Sequence, residues 1–429
     1  MSPTFKSFRH RDYRLYWSSM LVSNIGTWMQ RVAQDWLVLV VLGAGPAALG
    51  ITTGLQFLPF LLISPVGGLL ADRLPKRHLL RATNAFMGLV GLTLGVLALT
   101  GTAQVWHVYV LAFLLGTGAA LDNPARQAFV SELVPQDDLP NAVGLNSASF
   151  NAARLIGPAV AGLLIAAVGT GWVFVINAAT FAAPIVALTA LRQVHVERDE
   201  READASPLAR LRGGFAYVRS RPDIVMIMLI MFFVGTFGMN FQLNSALMAT
   251  GVFEKGPTEY GILGSIMAVG TLSGALFAAH RGKTRRRYIV VGAIAFGTVL
   301  VIAGFMPTYE TFAATLIPLG ISSMTVLTAA NAYIQVTVPQ HVRGRVMSLY
   351  VMVLMGGTPL GAPIIGSIAE ALGPRWSLWV GGGITIGATV VATLVMAGRN
   401  GFVVRPRLRP VPRIDVRPVA DSQRIASLR

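Results

Sequence analysis

GLLADRLPKRHLL, residues 68–80, is a short polar break between two long apolar runs. It holds one acid, Asp72, and three basic residues, Arg73, Lys76 and Arg77. The runs on either side, 46–70 and 78–100, are each long enough to cross a bilayer as a helix. So short a connection joins antiparallel membrane helices, and its Lys and Arg place it on the cytoplasmic side. Gly68 lets the two helices approach closely. Asp72 suits a helix N-terminus or a basic partner.

Working outward, the same pattern recurs. Spans are expected at about 14–42, 46–70, 78–100, 105–133, 140–168, 172–192, 223–250, 257–279, 288–306, 310–338, 345–371 and 375–398. With the N-terminus inside, thirty of the 35 Lys and Arg fall in cytoplasmic segments. Only Lys255 and Arg375 fall outside, and Arg31, Arg126 and Arg154 lie within helices. This asymmetry explains the net charge of +16 without nucleic acid. Mean hydropathy is +0.61 and only 13% of residues are charged, about half the soluble norm. There is no cysteine, so disulfides and thiolate metal sites are excluded. The six histidines show no ligand spacing, and neither metal nor cofactor is expected. GAGPAA, 43–48, joins two membrane helices rather than a strand and a helix, so it is no dinucleotide fingerprint.

The chain repeats itself. LVPQ at 133–136 returns as TVPQ at 337–340, and the same offset matches Gly116 with Gly320, Gly157 with Gly361, Gly162 with Gly366, Gly169 with Gly373 and Trp172 with Trp376. Two parallel six-helix halves follow from this, with a central site between them. The expected fold is an all-α membrane protein with twelve transmembrane helices in two six-helix pseudo-repeat bundles, 1–193 and 222–398. Residues 194–221 form a cytoplasmic linker whose Leu208, Leu211, Phe215 and Val218 share one face of an amphipathic helix. Residues 399–429 read as a disordered basic tail.

The stretch 68–80 resembles the signature loop between helices two and three of the major facilitator superfamily, with Gly68, Asp72, Arg73, Lys76 and Arg77 matching and Pro75 replacing a second glycine. FRHRDYRLYWSSMLVSNIG (8–26), LDNPARQAFVSELVP (121–135) and NAARLIGPAVAG (151–162) are similar to the exporter branch that holds enterobactin exporters and macrolide efflux pumps. In the second half the signature decays to GALFAAHRGK, 274–283. Gly157, Pro158 and Gly162 match part of the fifth-helix pattern of proton-driven antiporters. The resemblance implies a cytoplasmic gate, which would use Gly68, Asp72, Arg73, Lys76, Arg77 and Glu132 to latch the halves.

Charge inside the first helix carries the chemistry. Asn24, Thr27, Arg31, Gln34 and Asp35 recur on one helical face. Arg31 and Asp35 can pair one turn apart. Asp122 and Arg126 repeat that spacing, and Asp122 lies level with Arg154 across a helical hairpin, so an Asp122–Arg154 pair is expected. Asp35 and Asp122 are the candidate proton carriers, tuned by Arg31, Arg126 and Arg154. The alternative is a set of static ion pairs. The second half carries amides instead: Asn240 with Asn244, and Asn331 with Gln335, beside Phe233, Phe237 and Phe241. With Asn24, Trp28, Gln34 and Gln56 these are the candidate substrate contacts, suited to a bulky, largely neutral amphiphile.

The expected function is proton-coupled export of a small amphipathic compound by a monomer in the inner membrane, with both termini cytoplasmic. Its partners are the substrate, protons and lipids, with no nucleic acid and no enzymatic activity. An importer or uncoupled facilitator of a lipid or nutrient is the rival transporter, and a non-transporting membrane sensor is the rival of another class.

Overall fold

The computed structural model describes residues 3–63, 70, 73–192, 207–281, 285–399, 402–407 and 413–418. The helices of the first half are α1 (Arg11–Trp36), α2 (Gly45–Leu62), α3 (Lys76–Leu99), α4 (Val105–Val130), α5 (Leu139–Val168) and α6 (Thr170–Ala190). After a linker helix, Pro207–Ser220, come α7 (Pro222–Gly251), α8 (Pro257–Arg281), α9 (Arg286–Gly304), α10 (Tyr309–Thr337), α11 (Val342–Leu372) and α12 (Pro374–Arg399). Among the described residues eleven helices are long and apolar enough to cross a membrane. Helix α1 is outside that set although it has 26 residues, because its many polar and charged side chains lower its hydropathy.

Local chemistry sets the helix ends. Prolines open α7, α8 and α12, where a missing N–H costs nothing. Thr308 caps α10 by accepting from the Thr311 N–H. Gly169 and Gly373 close α5 and α11 at φ of 81° and 100°, a region that only glycine enters freely. These two positions are partners in the sequence repeat.

Helix packing repeats as well. Helix α1 lies on α5 and α6, α2 on α4, and α3 on α4 and α6. Six helices later, α7 lies on α11 and α12, α8 on α10, and α9 on α10 and α12. The halves meet through α2 against α11 and α5 against α8. Small residues make these crossings close. A Cβ on Gly366 would fall 2.6 Å from the Pro46 carbonyl, and one on Gly162 would fall 2.5 Å from that of Pro257. Ala47 donates its N–H to Glu370 Oε at 2.9 Å, and Ser265 donates to the Leu155 carbonyl at 2.6 Å.

The contacts of Pro46, Ala47, Gly162 and Pro257 lie toward one end of the helices, called here the far end, while Leu61 meets Gly356 toward the other end of α2. At the opposite, basic end the described ion pairs stay within one half: Lys76 with Glu132, Lys6 and Arg9 with Asp138, and Arg221 with Asp223. Hydrogen bonding to Asp223 raises the pKa of the Arg221 guanidinium. Residues 402–407 and 413–418 pair as an antiparallel hairpin, a departure from the expected disordered tail. Val403, Val404, Ile414 and Val416 favour that extended backbone. Gly68, Asp72 and Lys283, and linker positions 194–206, lie outside the described residues.

Candidate functional site

The seam between the halves holds Asp35. Its carboxylate, on the last turns of α1, is buried at 6% exposure. It accepts from the Tyr260 hydroxyl at 2.6 Å and from Gln242 Nε2 at 2.9 Å. Both donors belong to the second half, Gln242 on α7 and Tyr260 on α8. The expected Arg31–Asp35 ion pair is not made, and both donors bond one carboxylate oxygen, Oδ2. Helical spacing permits an i,i+4 pair but does not compel it when closer donors arrive from another helix.

Arg31 turns to aromatic faces. Its guanidinium lies 4.8 Å from the Trp28 ring centroid and 5.4 Å from that of Phe57. Its Nε is buried without a hydrogen-bond partner. Arg154, on α5, lies 5.6 Å from the same Trp28 ring and 5.5 Å from Phe241. The expected Asp122–Arg154 pair is also absent. Helix α4 packs on α2 and α3, whereas α5 packs on α1 and α8, so neighbours in sequence diverge in space. Among the described residues neither Arg31 nor Arg154 has a carboxylate in salt-bridge reach. A charge at membrane depth costs roughly 3 kcal/mol or more. A cation–π contact returns only about 0.5–2 kcal/mol.

Asp122 is held differently. At 2% exposure it accepts from Thr83 Oγ1 at 2.8 Å, Asn84 Nδ2 at 3.0 Å and Arg126 Nε at 2.8 Å. Arg126 also donates to Asn24 Oδ1 at 2.9 Å. This cluster joins α1, α3 and α4, and all its members lie in the first half. It is a saturated buried ion pair, whereas Asp35 bridges the halves.

The amides divide into three sets. Gln34 Nε2 reaches Gln56 Oε1 at 3.4 Å, a weak contact between α1 and α2. In α7, a π-turn at Val234–Gly238 precedes a break at Met239–Asn240. There Thr236 Oγ1, Asn240 Oδ1 and both Asn244 amide atoms are buried without partners. Interrupted helices with unmet polar groups are common at functional sites. Asn331 and Gln335 bond to each other near the basic end of α10, and Gln335 is exposed.

At the basic end, Lys76 Nζ contacts Glu132 Oε1 at 2.6 Å. Arg77 donates to the Leu188 and Thr189 carbonyls. These bonds all lie within the first half, so the expected latch between the halves is not made by Lys76, Arg77 and Glu132.

Sequence reading missed Tyr260 and Gln242, the two donors that define Asp35's surroundings. It also missed Thr83 and Asn84 on Asp122, and the bond between Asn177 and Gln30. A lone amide in an apolar helix was the available signal for Asn84 and Asn177, the same signal that singled out Asn240. Tyr260 gave none, since a tyrosine near a helix start reads as an interfacial anchor.

A buried polar seam where repeated helix sets cross, in a chain of helices long and apolar enough to cross a membrane, fits the major facilitator fold. The family model of transmembrane secretion effectors matches residues 2–403, and the chain belongs to that family. It is 28% identical to the multidrug efflux pump Tap of Mycolicibacterium fortuitum, covering 82% of this chain and 88% of that one. It is 25% identical to the staphyloferrin A transporter of Staphylococcus aureus (88% and 94% covered) and 22% identical to macrolide efflux protein A of Streptococcus pyogenes (88% and 94%). Among solved structures, the nucleoside transporter NupG aligns with a TM-score of 0.68 at 12% identity, covering 88% of this chain and 99% of that one. An inward-facing bacterial homologue of the lysosomal transporter Spinster aligns at 0.66 and 16%, covering 93% and 96%.

Proposed function

We propose that this chain exports a small amphipathic compound across the cell membrane in exchange for protons. It does so as two six-helix bundles, 1–193 and 222–398, that rock about a central site. With the basic end in the cytoplasm, the far-end contacts make this the inward-open state. The observation that carries the reading is Asp35, the buried acid whose partners Gln242 and Tyr260 come from the opposite half. Opening the far end must strip Asp35 of both donors, so its proton affinity changes with the conformational state. A group with that property links proton binding to rocking. Asp122 keeps its partners when the halves move, so its role is to fix Arg126 and Asn24. The substrate would meet Trp28, Gln34, Gln56, Asn240 and Asn244 centrally, and Asn331 and Gln335 near the inner mouth. Gly68, Asp72, Arg73, Lys76, Arg77 and Glu132 would form the cytoplasmic gate.

Two relatives named for efflux support the outward direction. The test uses inverted vesicles with an acid interior and a panel of anionic, neutral and cationic fluorescent amphiphiles. The expected result is accumulation of at least one probe that an uncoupler abolishes. Equilibration of every probe without accumulation would sink the antiport.

A further inference from the structure

We infer that the central site selects an amphipathic organic anion, whose carboxylate or sulfonate is received by Arg31 and Arg154 and whose apolar body lies against Trp28, Phe57 and Phe241. The inference rests on the proposed transport function and narrows its substrate class, from the largely neutral compound that the amides alone suggest to an acidic one.

The first argument is charge balance. The Asp122–Arg126 pair closes on itself. One oxygen of Asp35, Oδ2, accepts from Tyr260 and Gln242. That leaves two guanidiniums and one carboxylate in the seam, an excess of one positive charge with Asp35 ionised and of two with it protonated. No acidic side chain among the described residues makes up the difference. The second argument is geometry. Both guanidiniums lie against one indole, Trp28, so their charge converges on a single place. Arg31 Nε is buried and unmet. Arg154 donates no hydrogen bond to any described residue, and its planar fork is shaped for bidentate anion binding. The third argument is access. One small cavity is bordered by Arg31, Gln56 and Phe60, and a second, beside Trp28, by Arg154, Phe241 and Tyr260. Arg31, Trp28 and Arg154 are only partly covered, as groups lining a space should be.

The arrangement also suggests how the anion leaves. Asp35 stands one turn from Arg31. Once far-end opening removes Tyr260 and Gln242, its carboxylate is free to take Arg31 and compete with the bound anion. Release would then accompany opening to the far side.

The test compares two probes that share one ring system. One is 1-anilinonaphthalene-8-sulfonate, an anion; the other is N-phenyl-1-naphthylamine, its neutral counterpart. Binding to the purified full chain in zwitterionic nanodiscs is followed by probe fluorescence. Wild type should bind the sulfonate saturably and more tightly than the neutral amine. Arg154→Gln and Arg31→Gln should each weaken sulfonate binding about tenfold and leave the amine unchanged. Arg154→Lys should keep much of the anion preference. Thermal unfolding provides a second readout: removing an uncompensated charge should leave the melting temperature unchanged or raise it, whereas loss of a structural ion pair would lower it. Equal affinities of wild type for the two probes, or unaltered sulfonate binding in both glutamine variants, would overturn the inference. The binding assay needs no gradient, so anion selectivity without energised transport would count against antiport alone. Gradient-driven transport of neutral probes without anion selectivity would count against this inference alone.

Discussion

At the scale of single residues, partners decide what each buried charge does. Asp122 and Asp35 look equivalent in sequence, each four residues from an arginine, yet they sit in opposite circumstances. Asp122→Asn leaves the Arg126 guanidinium without its counter-charge, so it should lower stability by about 3 kcal/mol. It should nevertheless preserve pH-driven transport, and thermal unfolding beside vesicle assays checks both halves of that statement. Spacing within one helix was legible in the sequence, and so was the rule that buried charges face a protein interior. The identity of Asp35's partners was not, because Gln242 and Tyr260 lie 207 and 225 residues away. Nothing local to Asp35 records which helix will deliver a donor to it. Lys76 with Glu132 was legible, since a base and an acid near the same membrane face have few alternatives. That partly exposed pair contributes at most about 1 kcal/mol to stability. Its value is geometric: Glu132→Lys alone should impair transport by setting two cations together, and adding Lys76→Glu should restore it.

At the scale of elements, the repeat governs packing. Gly162 and Gly366 are equivalent in sequence and make equivalent crossings, one on the start of α8 and the other on the start of α2. Gly366→Val would push a side chain into the Pro46 carbonyl, a strain of about 1–3 kcal/mol. That strain acts only while the far end is closed, so the variant should favour far-end opening. Spin labels on the far-end tips of α2 and α11 should show the distance distribution lengthening. An unchanged distribution would mean that the crossing tolerates bulk. The glycine pairing was legible because a constant offset exposes it. The break in α7 was not: VGTFGMN has two glycines but no proline, and the π-turn arises where Gly235, Gly357 and Gly361 let α7 and α11 close together. The divergence of α4 and α5 was hidden too, because a short connection reads as an antiparallel pair whether or not the helices stay in contact.

At the scale of the whole molecule, topology and conformational state are linked. With the basic end in the cytoplasm, as proposed from the positive-inside pattern, the far-end contacts would close the outer side. Because the chain has no cysteine, single introduced thiols report topology cleanly. Ser220→Cys should react with an impermeant maleimide only in inverted vesicles, and Thr100→Cys only in intact cells. The reverse pattern would turn this inward-open state into an outward-open one and make the same gradient drive import. The central claim is that Asp35 carries the coupling proton between states, and substitution of that carboxyl tests it most directly. Asp35→Asn keeps the size and a hydrogen-bonding group but cannot gain or lose charge. In reconstituted inverted vesicles with an acid interior, the variant should lose uphill accumulation of a probe that wild type accumulates. It should still exchange labelled for unlabelled probe across the membrane at a measurable rate. Accumulation by Asp35→Asn at the wild-type level and with the wild-type dependence on the pH gradient would contradict the account.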